Sequence, residues 1–482
     1  MNNYLILINN ATLMGHYHLA LGNYLETLGH NVIYAFCDKL PVYIDQLDLT
    51  GKKCYFFSHY FKEHYTETTF PEKYRHINLN KCFFSDYDRL IVFAHEQYQG
   101  DEYYVTLMSN LINFFDKIIN ENNIDICLNE SIANSFSYVA YEVIKNNGAQ
   151  YCGYAGCRLK GRFELYTEEF GSKDYFVEKF RNVSISDIPE DILKKIDTYL
   201  LRYKSSTSLP TYHPQNTVLD WNFPIFKKLF DNKTINRIIG TFRFLRYERG
   251  YVKYSYMSRH LLRSLFIGFN NQIKRRIIAF RAKKYFEKKI TSESYFLYPQ
   301  HFKPEASTSV LARHYCNDLT VIENIAFNLP YGTKLYVKEH FVNYGRMPIN
   351  YYRHLKQIPN VRLIRCDENT KKIIAGSLGV ITLTSTVGFE ALLMNKPIWV
   401  FGNVFYECHP NCHKVNNYEE LFSLLNNRHI LPDTENINRK FVYAYYLSSY
   451  EGNLYYMLGQ KGYSDDDFVK PYVKAIHDRF KK

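Results

Sequence analysis

The chain lacks any run of about 18 apolar residues, so no membrane-spanning helix is expected. Its first residues, MNNYLILINNATLMGHYH, carry no basic lead and only a short apolar stretch; they read as a core strand rather than a secretion signal. Tryptophan is nearly absent, with two residues in 482, and no solenoid-type repeat is found. The ten cysteines are scattered, and Cys37, Cys127, Cys152 and Cys366 fall in expected strands, where a small buried hydrophobe is the ordinary meaning. That usage fits a reducing cytosol, and the expected location is cytoplasmic. A complete metal-ligand spacing is missing as well. Cys408, His409, Cys412 and His413 crowd into one short stretch with no second pair to complete a zinc site. Asp465-Asp466-Asp467 stands beside Gly462 and Ser464 and reads as a solvated helix start.

What is present is length enough for two cores, and one block of charge. The net charge is +12, yet residues 227–289 hold eighteen Lys/Arg against Asp231, Glu248 and Glu287, which leaves the remainder slightly acidic. The positive charge is therefore a local property.

Strand and helix alternate with short connections in the C-terminal half. Strands are expected at 295–298, 334–338, 361–365, 379–383 and 398–401, with helices at 320–328, 351–357, 370–377, 387–394 and 418–426. Such alternation argues for a doubly wound parallel sheet. The N-terminal part has the same rhythm, with strands at 4–8, 31–36, 89–93, 125–128 and 150–154. Its helices are expected at 17–28, 105–119 and 134–146, the first and last stopped by Gly29 and Gly148. The fold class expected is α/β: two Rossmann-like domains facing a cleft, with a basic helical insertion. The domains are drawn as 1–183 and 291–434 for the two Rossmann-like halves, 184–290 for the insertion, and 435–482 as helices packing across both.

The stretch GVITLTSTVGFEALLMNKPIWVFG, 379–402, carries most information. A β-branched strand runs into Thr384, Ser385 and Thr386, where a helix should begin. Gly388 would admit a ligand to the backbone, Glu390 is placed in the first helical turn, and Pro397 closes the unit. A helix start with free N–H groups and hydroxyls attracts anions. Ligands bind beyond the carboxyl ends of parallel strands. There the chain places PQHFKPEAST (299–308), Lys338-Glu339-His340, and Gly402-Asn403. Lys303, Lys338 and His340 would neutralise phosphate oxygens, and Glu390 or Glu305 would accept from ribose hydroxyls.

These segments, PQHFKPEAST, VKEH and ITLTSTVGFEALLMNKPIWVFG, resemble the signature of bacterial capsule polysaccharide biosynthesis proteins. That group is GT-B glycosyltransferase-like and includes capsule Kdo transferases. The resemblance is specific over residues 295–425 and loose elsewhere. It implies a two-Rossmann enzyme whose C-terminal half holds a nucleotide sugar, a CMP-linked one among the candidates. By that similarity Gln300, Pro304 and Glu305 match the first motif, and Lys338, Glu339 and His340 the second. Ser385, Thr386, Gly388 and Glu390 match the phosphate and ribose turn. Phe341 stands where the second motif would have proline, and Lys303 intervenes before Pro304.

The N-terminal half is left to hold the acceptor. Gly15-His16 is placed in the loop after the first strand, and Glu130, after the strand 125–128, is the candidate base or nucleophile. A helix N-cap around Ser131 is the structural alternative. Arg158 and Arg162 would hold an anionic acceptor. With no Asp-x-Asp metal site in this reading, neither metal nor cofactor is expected, and the cations and helix end would stabilise the leaving phosphate. The basic, aromatic stretch 221–289, including Trp221, Phe223, Phe226 and Phe230, suits an anionic inner-membrane surface; no nucleic-acid recognition module accompanies the charge. The expected activity is glycosyl transfer from a nucleotide sugar to a capsule or other surface glycan or glycolipid. The alternatives are a sugar-nucleotide epimerase and a non-catalytic capsule assembly protein at the membrane.

Overall fold

The structure, a computed structural model, describes residues 1–10, 14–92, 101–205, 232–287, 293–303, 305–427, 433–454 and 464–480. The chain forms two compact units that interleave in sequence. One comprises residues 1–172, 214–264 and 449–482; the other comprises 173–213 and 265–448.

The first unit is built on a seven-stranded sheet. Its strands are β1 (Asn3–Ile8), β2 (Asn31–Phe36), β3 (Lys53–Phe56), β4 (Ile126–Leu128), β5 (Gln150–Gly156), β6 (Arg162–Tyr166) and, late in the chain, β13 (Tyr450–Glu451). The order is β13-β6-β5-β4-β1-β2-β3, parallel from β3 to β5 and antiparallel at β6 and β13. β1 is apolar at every position from Tyr4 to Ile8 because helices cover both faces of a parallel sheet. The helix Met14–Thr27 lays Tyr17, Leu21 and Leu25 on that sheet. It stops at Gly29, whose φ of +81° lets its N–H reach Glu26 while the His30 N–H reaches back to Leu25. Gly148 ends the helix Ser135–Asn146 in the same way. The C-terminal helix Val469–Phe480 packs on this sheet, and the Tyr472 hydroxyl donates to the Cys152 carbonyl at 2.9 Å.

The second unit has a six-stranded parallel sheet of β7 (Tyr295–Pro299), β8 (Lys334–Lys338), β9 (Val361–Ile364), β10 (Val380–Thr382), β11 (Ile398–Val400) and β12 (Cys412–Lys414). The order is β12-β11-β10-β7-β8-β9. Trp399 is fully buried at its centre, edge-on to Phe296. Both sheets thus have the Rossmann order, in which the chain starts in the middle, runs out to one edge, and returns to build the other.

Two readings of the sequence change. Residues 89–92, taken as strand, are the last turn of the helix Leu79–Val92, and Phe93 lies outside the described residues. The β-branched run is overridden by an amphipathic helix that starts where Asn78 accepts the Lys81 N–H. The stretch 184–290 is divided between the units, and the final helices do not share one site. The helix Glu190–Lys204 and the helix Thr434–Ser448 lie in the second unit, joined by Arg439 to Asp197 at 2.8 Å. The helix Asn232–Tyr247 lies in the first, where Glu248 pairs with Lys39 and His59. Of the aromatic set expected with the basic stretch, Trp221, Phe223, Phe226 and Phe230 lie outside the described residues.

Gly240 sets the seat of the helix Asn232–Tyr247. A Cβ there would stand 2.6 Å from the Tyr43 carbonyl oxygen and 2.7 Å from the Ile44 Cα, both backbone atoms. In an isolated helix Gly→Ala gains up to about 1 kcal/mol. Here the substitution Gly240→Ala should lower the unfolding free energy by roughly 1–3 kcal/mol through overpacking. Urea denaturation of the two proteins reads the sign directly; a variant more stable than the wild type would refute this packing.

Candidate functional site

In each sheet the strand order reverses between the first strand and the fourth, and the loops after those strands diverge to open a crevice. In the second unit these are the loops after β7 and β10. One side chain ties them together: His301, just beyond β7, accepts the Thr384 N–H on Nε2 at 3.0 Å, with the Thr382 hydroxyl at 3.5 Å. Burial, with smaller contributions from the nearby Lys303 and His340, pushes the imidazole pKa down to about 3, so the ring is neutral. An accepting Nε2 places the proton on Nδ1, and that buried N–H has no partner among the described residues. Thr384 is fixed a second time by donating its hydroxyl to the Ser307 carbonyl at 2.7 Å.

The turn after β10 is largely self-satisfied. Ser385 caps the helix Thr386–Leu393 by accepting the Val387 N–H, and its own N–H goes to the Thr382 hydroxyl. The Gly388 N–H goes to the Ser385 carbonyl, which also receives the Tyr406 hydroxyl at 2.6 Å. Thr386 is the member of the turn whose N–H and hydroxyl take no part in these bonds. Gly388 faces inward, where a Cβ would meet the Tyr406 hydroxyl at 2.8 Å and Thr382 Cγ2 at 3.2 Å. Its glycine serves this packing rather than a ligand's approach. Glu390 lies in the second helical turn, not the first; it is 4 % exposed and within electrostatic reach of Lys371.

The other strand ends are mixed. Gln300 is buried and donates to the Tyr351 hydroxyl. The Lys303 ammonium donates to the Cys316 carbonyl and pairs with buried Asp318 at 3.2 Å. Pro304 lies outside the described residues. Glu305 is exposed and receives the Ser307 hydroxyl at 2.7 Å. Lys338 turns inward to the Cys366 carbonyl at 2.8 Å, and burial lowers its pKa. His340 remains half-buried at the rim, its ring 6.1 Å from that of Phe302 and its Nδ1 accepting the Val342 N–H at 3.3 Å. The structure therefore brings His301, His340 and the turn at Thr384–Thr386 to one rim, while Lys338, Gln300 and Lys303 support it from within.

In the first unit the reversal lies between β1 and β4, and again one side-chain bond crosses it. Asn9, after β1, donates from Nδ2 to Glu130 Oε1 at 2.7 Å. Gly153 on β5 permits the approach, since a Cβ there would sit 2.4 Å from the Glu130 carbonyl oxygen. His16 is exposed in the first turn of the helix Met14–Thr27, not in a loop before it. Arg158 donates to the Gly156 carbonyl and lies 3.6 Å from Glu164. Arg162 is spent on the sheet edge, donating to the Ser449 hydroxyl and carbonyl beside Glu451. Asn9 and His301 were passed over in the sequence although each is the first or second residue beyond a central strand, the position that signals a rim residue.

The chain does spell Asp-x-Asp, at Asp86-Tyr87-Asp88, contrary to the sequence reading. It lies on the helix Leu79–Val92, where Asp86 is buried and accepts the N–H and hydroxyl of Ser135. His409 is likewise buried, between Asn438 and the Asn411 N–H. Among the described residues no group of three or more His, Cys, Asp or Glu is placed to hold a metal ion.

Glu339, between Lys338 and His340, is 3 % exposed; its Oε1 accepts the Tyr352 hydroxyl at 2.5 Å and its Oε2 has no protein partner. Burial raises its pKa to about 7, against a favourable Arg275 nearby. A raised carboxyl means the native state keeps a proton that the unfolded chain gives up near pH 4.5, so this group costs stability progressively as pH rises to about 7. Glu339→Gln removes that cost. Between pH 5 and pH 8 the stability difference between variant and wild type should move toward the variant by on the order of 3 kcal/mol. Urea midpoints at the two pH values test this; a difference that does not change with pH would contradict it.

Residues 216–410 match the capsule polysaccharide biosynthesis protein family. No curated protein matches the chain. Among solved structures it is similar to the β-Kdo 2,4-transferase KpsC of Thermosulfurimonas dismutans, at 12 % identity and a TM-score of 0.38, over 69 % of this chain and 83 % of that one. It is similar to a glycosyltransferase from Rickettsia africae, at 12 % identity and 0.27, over 100 % and 99 %. It is also similar to a putative UDP-N-acetylglucosamine 2-epimerase from Listeria monocytogenes, at 11 % identity and 0.27, over 100 % and 96 %. The sequence match to the capsule polysaccharide biosynthesis protein family runs through β7 to β11.

Proposed function

We propose that the chain is a glycosyltransferase that moves a sugar from a nucleotide sugar to an acceptor of a capsule or other surface polysaccharide. The observation that carries this reading is the His301–Thr384 bond. It fastens together the two family segments, PQHFKPEAST and the turn after β10, at the one place in a Rossmann sheet where a nucleotide fits. The family match over the same residues supports it.

In this reading the second unit holds the donor. The Thr386 N–H and hydroxyl, at the positive end of a helix, face the diphosphate or monophosphate, and His340 supplies a further donor from the rim. The neutral His301 positions the turn and offers its Nδ1–H. These groups stabilise the charge that gathers on the phosphate as its bond to the anomeric carbon breaks. In the first unit Glu130, held by Asn9, is the general base that would take the proton of an acceptor hydroxyl. CMP and UDP sugars are both compatible with these groups. The acceptor is met at a membrane surface.

Thermal-shift titration with CMP, UDP, GDP and TDP identifies the nucleotide that binds the folded protein. Thr386→Val and His340→Ala should each weaken that nucleotide by about 1–3 kcal/mol, the loss of one hydrogen bond to a charged group. Glu130→Gln should leave nucleotide affinity intact and reduce transfer by about 10²–10⁴-fold. No shift with any nucleotide would favour an assembly role, and interconversion of the donor sugar with no acceptor would favour an epimerase.

A further inference from the structure

The basic segment contains a helix with two different sides. The helix Leu261–Ala282 has no acidic residue, and none occurs between Glu248 and Glu287. From residue 265 onward it belongs to the second unit. Its inner side is anchored: Arg275 donates to the carbonyls of Tyr344 at 2.8 Å and Phe341 at 3.2 Å, and the Tyr344 hydroxyl donates to the Ala279 carbonyl. Gly345 must be glycine for this contact, because a Cβ would sit 2.4 Å from the Arg275 carbonyl oxygen.

The outer side is apolar and uncovered. Phe266, Ile273, Ile277 and Phe280 are 71, 41, 54 and 82 % exposed. Their spacings of seven, four and three residues put all four within an arc of about 60° on a helix of 3.6 residues per turn. Exposed Lys274, Arg276, Arg281, Lys283 and Lys284 surround that stripe.

We propose that this outer face docks on an anionic lipid bilayer, with the helix lying flat and its four apolar side chains below the headgroups. The charge pattern selects this occupant. A second copy of the chain packed about a two-fold axis would set like charges against one another. A nucleic acid would use the cations and leave the Phe and Ile stripe in water. An anionic bilayer interface takes both components at once. The same helix then holds the loop that follows His340, through Arg275, at about one helix diameter from the headgroups. That placement of the rim gains its meaning from the glycosyltransferase reading; the docking itself does not depend on it.

The test is co-sedimentation of the full chain with phosphatidylcholine vesicles, with and without phosphatidylglycerol. The wild type should pellet only with the anionic vesicles and should be released by salt. Phe266→Asp with Phe280→Asp should abolish pelleting, and Lys274→Gln with Arg281→Gln should weaken it about fivefold per charge. All four side chains are exposed, and an unchanged circular dichroism spectrum and melting curve show that the variants fold. Equal pelleting of wild type and the Phe double variant would overturn the proposal, as would no binding by the wild type. A wild-type dimer that the Phe double variant disperses would also overturn it in favour of self-association. Vesicle binding in a protein that shows no nucleotide shift would leave the docking standing and remove the transferase.

Discussion

The reversal of strand order inside each parallel sheet is the constraint on which the rest of this structure depends. A right-handed crossover must leave the central strand toward one edge, and the return must start beside that strand. Two loops therefore begin side by side and diverge, and the backbone between them cannot pair with itself. Each unit bridges that gap with side-chain bonds: Asn9 to Glu130 in one, His301 and Ser307 to Thr384 in the other. The Asn9 and His301 bonds each use a group just beyond the central strand and a group just beyond the fourth. The polar chemistry concentrates there because the backbone leaves room and partners only at that point.

Strand β1 and strands β7 to β11 of the second sheet were legible for a related reason; the edge strand β12 was not. Covered on both faces, they are continuously apolar, and the intervening helices begin and end on capping residues with clear signatures, such as Ser385, Gly29 and Gly148. The missed strands lie toward the edges. β3 is the short, partly exposed KCYF, and β6, RFELY, runs antiparallel with alternating burial. Neither has the apolar continuity on which the reading relied. The run at 89–92 shows the opposite failure, a β-branched sequence carried into a helix by the pattern upstream of it.

The rim was legible as a set of positions but not as a set of orientations. A polar residue at a strand end can turn toward the crevice or toward the core, and spacing along the chain does not distinguish the two. Lys338 turns in to the Cys366 carbonyl, Gln300 to Tyr351, and Lys303 to Asp318. Gly388, whose lack of a side chain reads equally well as room for a ligand or room for a neighbour, is packed against Tyr406. The residue that organises the turn, His301, sat inside a segment already singled out. Its role depends on a bond to a residue 83 positions later, which no local pattern contains.

Charge shows the same division between composition and geometry. Elsewhere in the chain cations meet carboxylates: Lys39 meets Glu248, Lys173 and Lys414 meet Glu407, and Arg439 meets Asp197. Along the helix Leu261–Ala282 the one inward guanidinium, Arg275, is received by carbonyl oxygens. Carbonyls receive its donors and the Glu339 carboxyl lies within electrostatic reach, so the inner contact fixes the helix while the exposed cations around it face solvent. The sequence reports an excess of cations in this segment; the fold sets exposed members of it beside a face where four apolar side chains lie open to solvent.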